Sequence, residues 1–456
     1  MPRRKKSELE IKHVKQIKTP ALFQGTKDAL PTEDKFWMGL LRNIFDIAQD
    51  YTFQYIDTPM MERPELFGHT LGRGNKLVPN GIASFLQKNE KFILKPDTIP
   101  ALARAFIEHN LGNQNSILKV FSFGKIFRGV EDEYIGNLRQ ANEFTLEVFG
   151  NKAGSTEAEL IFIFYNLFKR INAEPTVILN SCGCLNCIEN YEKALQAYYR
   201  PKKAGLCVKC KNNLGRRIFD VLECENVRCQ KIREDAPQVV DWLCQECKDH
   251  YFKVVEALDD LKVPYQLNPW LIRDFDYQNR TIFEMRFNEA GPAVGATGAK
   301  KSLLLAKGSR HDNLVQMLGG ESIPAVGISL VAEKVIRLLR ENKIVAPERP
   351  GTDVYLAQLA ETAKRKAMVF FEDLRKEGYS VKANFTRNSL KSQLEHAKKV
   401  EAKLILILAH KEMMENTIIL RDAESGAQEV VNFDKVKIDI RKKLHEINTR
   451  RSKSRY

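Results

Sequence analysis

The sequence predicts an α+β chain: a front block of helices and antiparallel strands, interrupted by a cysteine-rich insert, and then a smaller α/β domain. Three observations carry this expectation. The stretches "SILKVFSFGKIFRG" and "RQANEFTLEVFGN" alternate in places on either side of an acidic turn, as paired strands do. All nine cysteines fall between Cys182 and Cys247. Beyond Pro347 and Pro350 the pattern becomes strand–helix–strand with an unbroken apolar "LILIL", which suits parallel strands buried on both faces.

Length and charge narrow the class. A chain of 456 residues has room for roughly two to four domains and a buried core. A hydrophobic share of 43% and a charged share of 29% fit a globular protein. The longest clean apolar run, near "AKLILILA", is too short to span a bilayer, and the basic start lacks the apolar core of a signal peptide. A cytoplasmic protein without a membrane partner is expected. The net charge of +14 is concentrated at the ends, in "PRRKK" and "RKKLHEINTRRSKSRY". Residues 1–20 and 445–456 therefore read as basic tails, either simply solvated or lending salt-sensitive phosphate affinity without sequence choice. Between them lie a core at 21–346, with its insert at about 180–250, and a second domain at 352–444.

Each element follows from local pattern. "PTEDKFWMGLLRNIFDIAQD" starts with Pro31 and Thr32 and spaces Phe36, Leu40, Ile44 and Ala48 as a helix does. A short strand, "FQYIDTP", stops at Pro59. In the middle, "NCIENYEKALQAYYRP" and "PQVVDWLCQECKDHYFKVVEALDDL" predict helices, and "LNPWLIRDFDYQNRTIFEMRF" predicts a return to strands. The helix "SLVAEKVIRLLREN" closes the block. The last domain reads as strands at "DVYLAQL", "YSVKANF", "KLILILA", "TIILRD" and "QEVVNF", with helices at "AETAKRKAMVFFEDLRKEG" and "SLKSQLEHAKKV" and a final basic helix. No internal repeat is evident.

Eight of the cysteines form close pairs: Cys184 with Cys187, Cys207 with Cys210, Cys224 with Cys229, and Cys244 with Cys247, leaving Cys182 over. In a cytosolic chain such spacing favours metal over disulfides. Two pairs complete one tetrahedral Zn²⁺ shell and leave no position open for substrate, so the expected role is structural. Spacing leaves open which pairs combine.

Together these pieces resemble the histidyl-tRNA synthetases, a class II aminoacyl-tRNA synthetase family, over nearly the whole chain. "QGTKDALP" with "YIDTPMMERPELF" looks like the motif that builds the family's homodimer interface. "FRGVEDEYIGNLRQANEFTLEVFG" looks like the strand–loop–strand that holds ATP. "PAVGISLVAEKV" is similar to the third class motif, and "LIRDFDYQNRTIFE" to the histidine-specific segment. The last domain resembles the family's anticodon-binding domain, and the cysteine insert occurs in some bacterial members. The resemblance implies a class II antiparallel-sheet core with an anticodon-binding domain. It further implies ATP-dependent formation of histidyl-adenylate, with Mg²⁺, and transfer of histidine to its tRNA.

By position, the resemblance makes Arg128 the motif arginine on the α-phosphate, with Arg273 supporting that phosphate from the other side. Asp97, Ile99, Glu143, Glu147, Tyr277 and Gln278 would bind the amino acid, and Glu131, Arg139 and Lys334 would join Arg128 on ATP. Several positions depart from the family. Asp97 stands for a glutamate, Ile99 for a threonine, Glu143 for a glutamine, and Lys334 for an arginine. Glu131, Asp132 and Glu133 align with a glutamate–arginine–proline turn, Asn137 replaces an arginine of that loop, and "GSRHDNL" replaces "GGRYDGL". Acids near a phosphate weaken its binding. Two expectations follow: a working histidine–tRNA ligase, or a catalytically weakened paralogue acting as an RNA-binding regulator or sensor.

Overall fold

The computed structural model describes residues 19–72, 75, 77, 81–113, 117–129, 131–288, 302–344, 351–359, 361–386 and 389–453. The segment at 1–18 and the prolines Pro347 and Pro350 lie outside them. The chain divides between Pro347 and Glu348 into two compact units.

In the first unit, Pro31 opens a 3₁₀ turn that leads into α1 (Asp34–Asp50). Leu40, Ile44 and Ala48 on α1 are fully buried, on the spacing the sequence shows. Then follow β1 (Gln54–Tyr55), β2 (Met61–Glu62), α2 (Pro64–Thr70), β3 (Ser84–Gln87), β4 (Glu90–Leu94) and α3 (Thr98–Glu108). The long hairpin is β5 (Leu118–Phe127) and β6 (Gln140–Phe149), paired antiparallel from Leu118↔Phe149 to Phe127↔Gln140. Next come α4 (Ser155–Arg170) and β7 (Thr176–Gly183), and then the insert with α5 (Leu185–Tyr199), α6 (Val208–Asn213) and α7 (Val227–Glu234). The unit finishes with α8 (Gln245–Asp260), β8 (Tyr265–Leu267), β9 (Asn279–Asn288), β10 (Ser302–Arg310), α9 (Leu314–Met317), β11 (Ala325–Val331) and α10 (Ala332–Glu341).

Among the described residues, eight strands form one sheet in the order β1-β5-β6-β11-β10-β9-β7-β8, antiparallel except at β1–β5 and β7–β8. Strand parity separates core from site. Phe144, Leu146 and Val148 of β6, with Val326, Ile328 and Leu330 of β11, enter the main core with Leu40, Ile44, Phe164 and Val335. Glu143, Thr145 and Glu147, with Gly327 and Ser329, alternate with them and take the opposite face. There Thr145 Oγ1 and Ser329 Oγ lie 2.8 Å apart.

Two sequence expectations move. The helix expected across "PQVVDWLCQECKDHYF" begins only at Gln245, because Val239–Trp242 makes a separate 3₁₀ turn. Strand structure does not fill "LNPWLIRDFDYQ". The Asn268 side chain accepts from Trp270 N, and Gln278 Oε1 accepts from Asp274 N and Phe275 N, so side chains satisfy that backbone in turns.

The second unit contains β12 (Val354–Gln358), α11 (Glu361–Lys376), β13 (Val381–Ala383), α12 (Leu390–Lys399), β14 (Leu404–Leu408), α13 (His410–Met414), β15 (Thr417–Asp422), β16 (Gln428–Asn432) and α14 (Val436–Lys453). Its sheet order is β13-β12-β14-β15-β16, with β12, β13 and β14 parallel. Leu404, Leu406 and Leu408 fill one core while Ile405 and Ile407 fill the other. The basic C-terminal tail expected at 445–456 is instead helix as far as Lys453. Ile440, Leu444 and Ile447 give α14 an apolar stripe that buries in the first of these cores. Among the described residues, no helix is long and apolar enough to cross a membrane.

Leu406 is fully buried in the middle strand of this sheet. Leu406→Ala is expected to cost about 2–5 kcal/mol, read from urea denaturation of the full chain.

Candidate active site

The face of the large sheet opposite the main core carries a cluster of buried charge. Asp97 is the N-cap of α3: its Oδ1 accepts from Ile99 N at 3.0 Å, and its Oδ2 accepts from the Tyr277 hydroxyl at 2.7 Å. Glu143 accepts from the Tyr134 hydroxyl at 2.8 Å and from Thr98 N at 3.2 Å. Burial, then the nearby Asp97 charge, raise the Glu143 carboxyl above its ordinary pKa. Burial, then Asp97, likewise push the Tyr277 hydroxyl well up.

Deeper on the same strand, Glu147 Oε1 lies 2.7 Å from His311 Nε2, and both side chains are fully buried. The His311 ring stands edge-on to Tyr277, with centroids 5.7 Å apart. Burial raises the Glu147 carboxyl, and His311 partly offsets this. Glu147 Oε2 and His311 Nδ1 are buried without a hydrogen-bond partner among the described residues. Such a pair of orphaned polar atoms suits a polar ligand group.

Arg128, at the end of β5, is only 2% exposed. Its Nε donates to Pro96 O at 3.0 Å and its Nη1 to Asp132 Oδ2 at 2.5 Å. The Tyr134 and Phe275 rings lie 5.1 and 6.0 Å from the guanidinium. Burial opposes its charge, but Asp132, Asp97 and Glu143 hold its pKa above the ordinary value. Two of the turn's three acids are thus matched by cations. Asp132 pairs with Arg128, and Glu133 takes Arg286 through two bonds of 2.5 and 2.9 Å. Lys307 pairs with Asp274 at 2.8 Å and lies over the rings of Tyr134 and Phe275.

A cavity of about 1020 Å³ opens beside this layer, lined by Arg128, Asp132, Tyr134, Arg273, Arg286 and Lys307 and, across from them, by residues of the insert. Asp97, Glu143, Glu147 and Tyr277 are outside this lining. The other expected residues take varied places. Arg273 reaches the cavity, donates to Asp276 O at 3.2 Å and lies over the Phe219 ring at 6.0 Å. Ile99 points its side chain into an apolar cluster with Phe67 and Leu102, so only its backbone N–H serves the site. Gln278 braces the Asp274–Phe275 turn. Glu131 and Arg139 are exposed, and Arg139 donates to Gly129 O. Lys334 donates to Glu133 O at 2.7 Å.

Sequence reasoning missed His311, Tyr134, Lys307 and Arg286. "GSRHDNL" was legible only as a lost tyrosine, although its histidine directly follows β10 next to β11. Nothing local marks Tyr134 as a partner of Glu143.

The structure settles the cysteine grouping. Cys184, Cys187, Cys244 and Cys247 gather in one set, and Cys207, Cys210, Cys224 and Cys229 in the other, with every sulfur of a set within 4.8 Å of the rest. Backbone amides also point at sulfur: Cys184 N at Cys247 Sγ (3.2 Å), Cys244 N at Cys187 Sγ (3.1 Å) and Cys207 N at Cys229 Sγ (3.2 Å). A donor set of this kind fits a tetrahedral thiolate-bound metal.

Residues 25–335 match the family model described as histidyl-tRNA synthetase, and residues 353–443 match that of the anticodon binding domain. A protein of Clostridium novyi named histidine–tRNA ligase is 31% identical over 413 residues, covering 90% of this chain and 96% of the relative. One of Dehalococcoides mccartyi with the same name is 32% identical over 425 residues, covering 92% and 99%. The crystal structure of apo S. aureus histidyl-tRNA synthetase superposes with a TM-score of 0.71 at 24% identity, covering 92% of this chain and 98% of that one, which shows the fold.

Gly327 pairs with Glu147 across β11 and β6, and a Cβ at Gly327 would stand 2.1 Å from Glu147 Oε2. Gly327→Ala should therefore displace the carboxylate first, with Leu146 O of β6, 3.1 Å from the added carbon, shifting far less. The expected result is a native-like circular dichroism spectrum with the Glu147–His311 hydrogen bond disrupted, read from the His311 ring signals by NMR.

Proposed function

The chain belongs to the histidyl-tRNA synthetase family, and from that premise we propose that it is an ATP-dependent histidine–tRNA ligase. The observation that carries this reading is the buried cluster of Arg128, Asp97, Glu143 and Tyr277, with Glu147 and His311 behind it. Activation joins the histidine carboxylate to the α-phosphorus of ATP, supplied as its Mg²⁺ complex, and expels pyrophosphate. The tRNA terminal hydroxyl then takes the histidyl group. Charge gathers on phosphate oxygens in the first step, where Arg128 and Arg273 would face it as always-protonated guanidiniums. Asp97 and Glu143 suit the substrate ammonium, and the free atoms of Glu147 and His311 suit its imidazole.

Further parts of the reading rest on other features. A homodimer is supported by exposed apolar side chains in and around the first class motif: Leu22, Phe23, Met60 and Met61. The basic helix α14 and the match to anticodon-binding domains support tRNA as the partner. The thiol tetrads support structural Zn²⁺, which would hold the insert together and take no part in acyl transfer. The cytoplasm is the compartment where such reduced pairs and such a substrate occur together.

One observation favours the second reading, an RNA-binding relative with weakened chemistry. The cations expected at the triphosphate or lining the cavity are already engaged: Arg128 by Asp132, Arg273 by Asp276, Arg286 by Glu133, and Lys334 by a backbone carbonyl. Histidine-dependent ATP–pyrophosphate exchange separates the two. Exchange is expected in the natural chain, with Arg273→Ala lowering it about a hundredfold or more. No exchange with tRNA still retained in a gel shift would sink the ligase reading.

Burial pushes the Lys334 ammonium down to about 8. Its charge is present below that value and lost above it. In exchange assays, kcat/KM for ATP is expected to fall as pH rises through about 8. Lys334→Arg, which stays charged, should remove that descending limb.

A further inference from the structure

Beyond α5 the insert is made of short helices and 3₁₀ turns, so regular structure alone supplies little to keep residues 203–242 in one shape. Its two thiol tetrads occupy different places in the chain. Cys184, Cys187, Cys244 and Cys247 stand where the chain leaves β7 and where it enters α8, and so close the insert at its base. Cys207, Cys210, Cys224 and Cys229 lie within the insert, and Cys224 itself, with Lys209, Phe219 and Leu222, is on the cavity wall.

Distances identify what each tetrad is built for. Cys184 and Cys187 sulfurs are 3.6 Å apart, and Cys207 and Cys224 sulfurs 3.8 Å. Bonds of about 2.3 Å to a tetrahedral Zn²⁺ place sulfurs about 3.8 Å apart, whereas a disulfide needs about 2.05 Å. Both sets are therefore already spaced for one metal ion each.

The second tetrad also connects to Arg273. Leu222, two residues before Cys224, accepts from Arg233, and Arg233 lies 5.5 Å over the Trp270 ring. Phe219, in the 3₁₀ turn Ile218–Val221, carries the Arg273 guanidinium on its ring. Trp270 and Arg273 share the turn-rich segment before β9, which lacks strand bonds of its own to hold it.

We propose that the insert binds two zinc ions, one per tetrad, and that the ion on Cys207, Cys210, Cys224 and Cys229 holds the cavity wall that positions Arg273. Binding releases the thiol protons to solvent, and the bound thiolates fix residues 207–229, on which Phe219 and Arg233 depend. The claim about the wall rests on the ligase reading only for what Arg273 would touch, a phosphate.

Metal analysis of the full chain purified from zinc-supplemented cells, with hydrogen-exchange mass spectrometry of residues 268–273, tests both parts. Two zinc ions per natural chain are expected. Cys224→Ser should bring this to one and speed exchange at 268–273 by about tenfold or more. Cys207→His, which keeps a zinc ligand, should retain both the second ion and the protection, so simple misfolding of the serine variant would be recognised. Fewer than two ions in the natural chain, or loss of the second ion with unchanged exchange at 268–273, overturns the proposal. Neither readout uses catalysis, so a natural chain without ATP–pyrophosphate exchange would lose the ligase reading and leave this one intact.

Discussion

A guanidinium buried at the end of a strand is the constraint from which the site is organised. Arg128 cannot shed its proton, and removing it from water without partners would cost several kcal/mol. The chain answers with an acid four residues on, a carbonyl from Pro96, two aromatic faces and two further carboxylates within electrostatic reach. Once Asp132 is committed to Arg128, the turn around it is set. Asp132 Oδ1 also accepts from Ile135 N, and Gly136 takes the positive φ that closes the turn. Two of the acids that look repulsive in the sequence, Asp132 and Glu133, are in three dimensions counter-ions of Arg128 and Arg286.

That arrangement explains which parts could be read from the sequence. The β5–β6 hairpin, α1 and the buried "LILIL" strand announce themselves because period and burial coincide in each. Arg128, Glu143 and Glu147 could be placed because the resemblance to the family's ATP-holding motif assigns them, Glu143 and Glu147 on β6 and Arg128 just past β5. His311 and Tyr134 could not, since each gains its role from a partner far along the chain or across a loop. Ile99 looked like a lost hydroxyl in a motif, yet its side chain answers to packing on α3. The helix starts only at Gln245, after the 3₁₀ turn Val239–Trp242, where Cys244 and Cys247 gather with Cys184 and Cys187.

The two sheets and the insert achieve order differently. The large sheet and the smaller one rely on alternating or two-sided apolar strands, with extensive buried carbon behind them. The insert has its own core around Tyr191, Tyr199 and Leu222, and thiols stand within that core rather than outside it. Cysteine spacing was visible in the sequence, but the pairing was not, because it depends on bringing the two ends of the insert together.

The parity of β6 has a further consequence for how this protein can diverge. Phe144, Leu146 and Val148 face the core and Glu143 and Glu147 face the site, so a single inserted or deleted residue would send carboxylates into the apolar layer and phenylalanine into the pocket. Along β6, then, ancestry can exchange one side chain for another but cannot change the count. Between Phe127 and Gln140 strand parity no longer applies, and the count is held instead by the bonds that tie Asp132 to Arg128 and Tyr134 to Glu143.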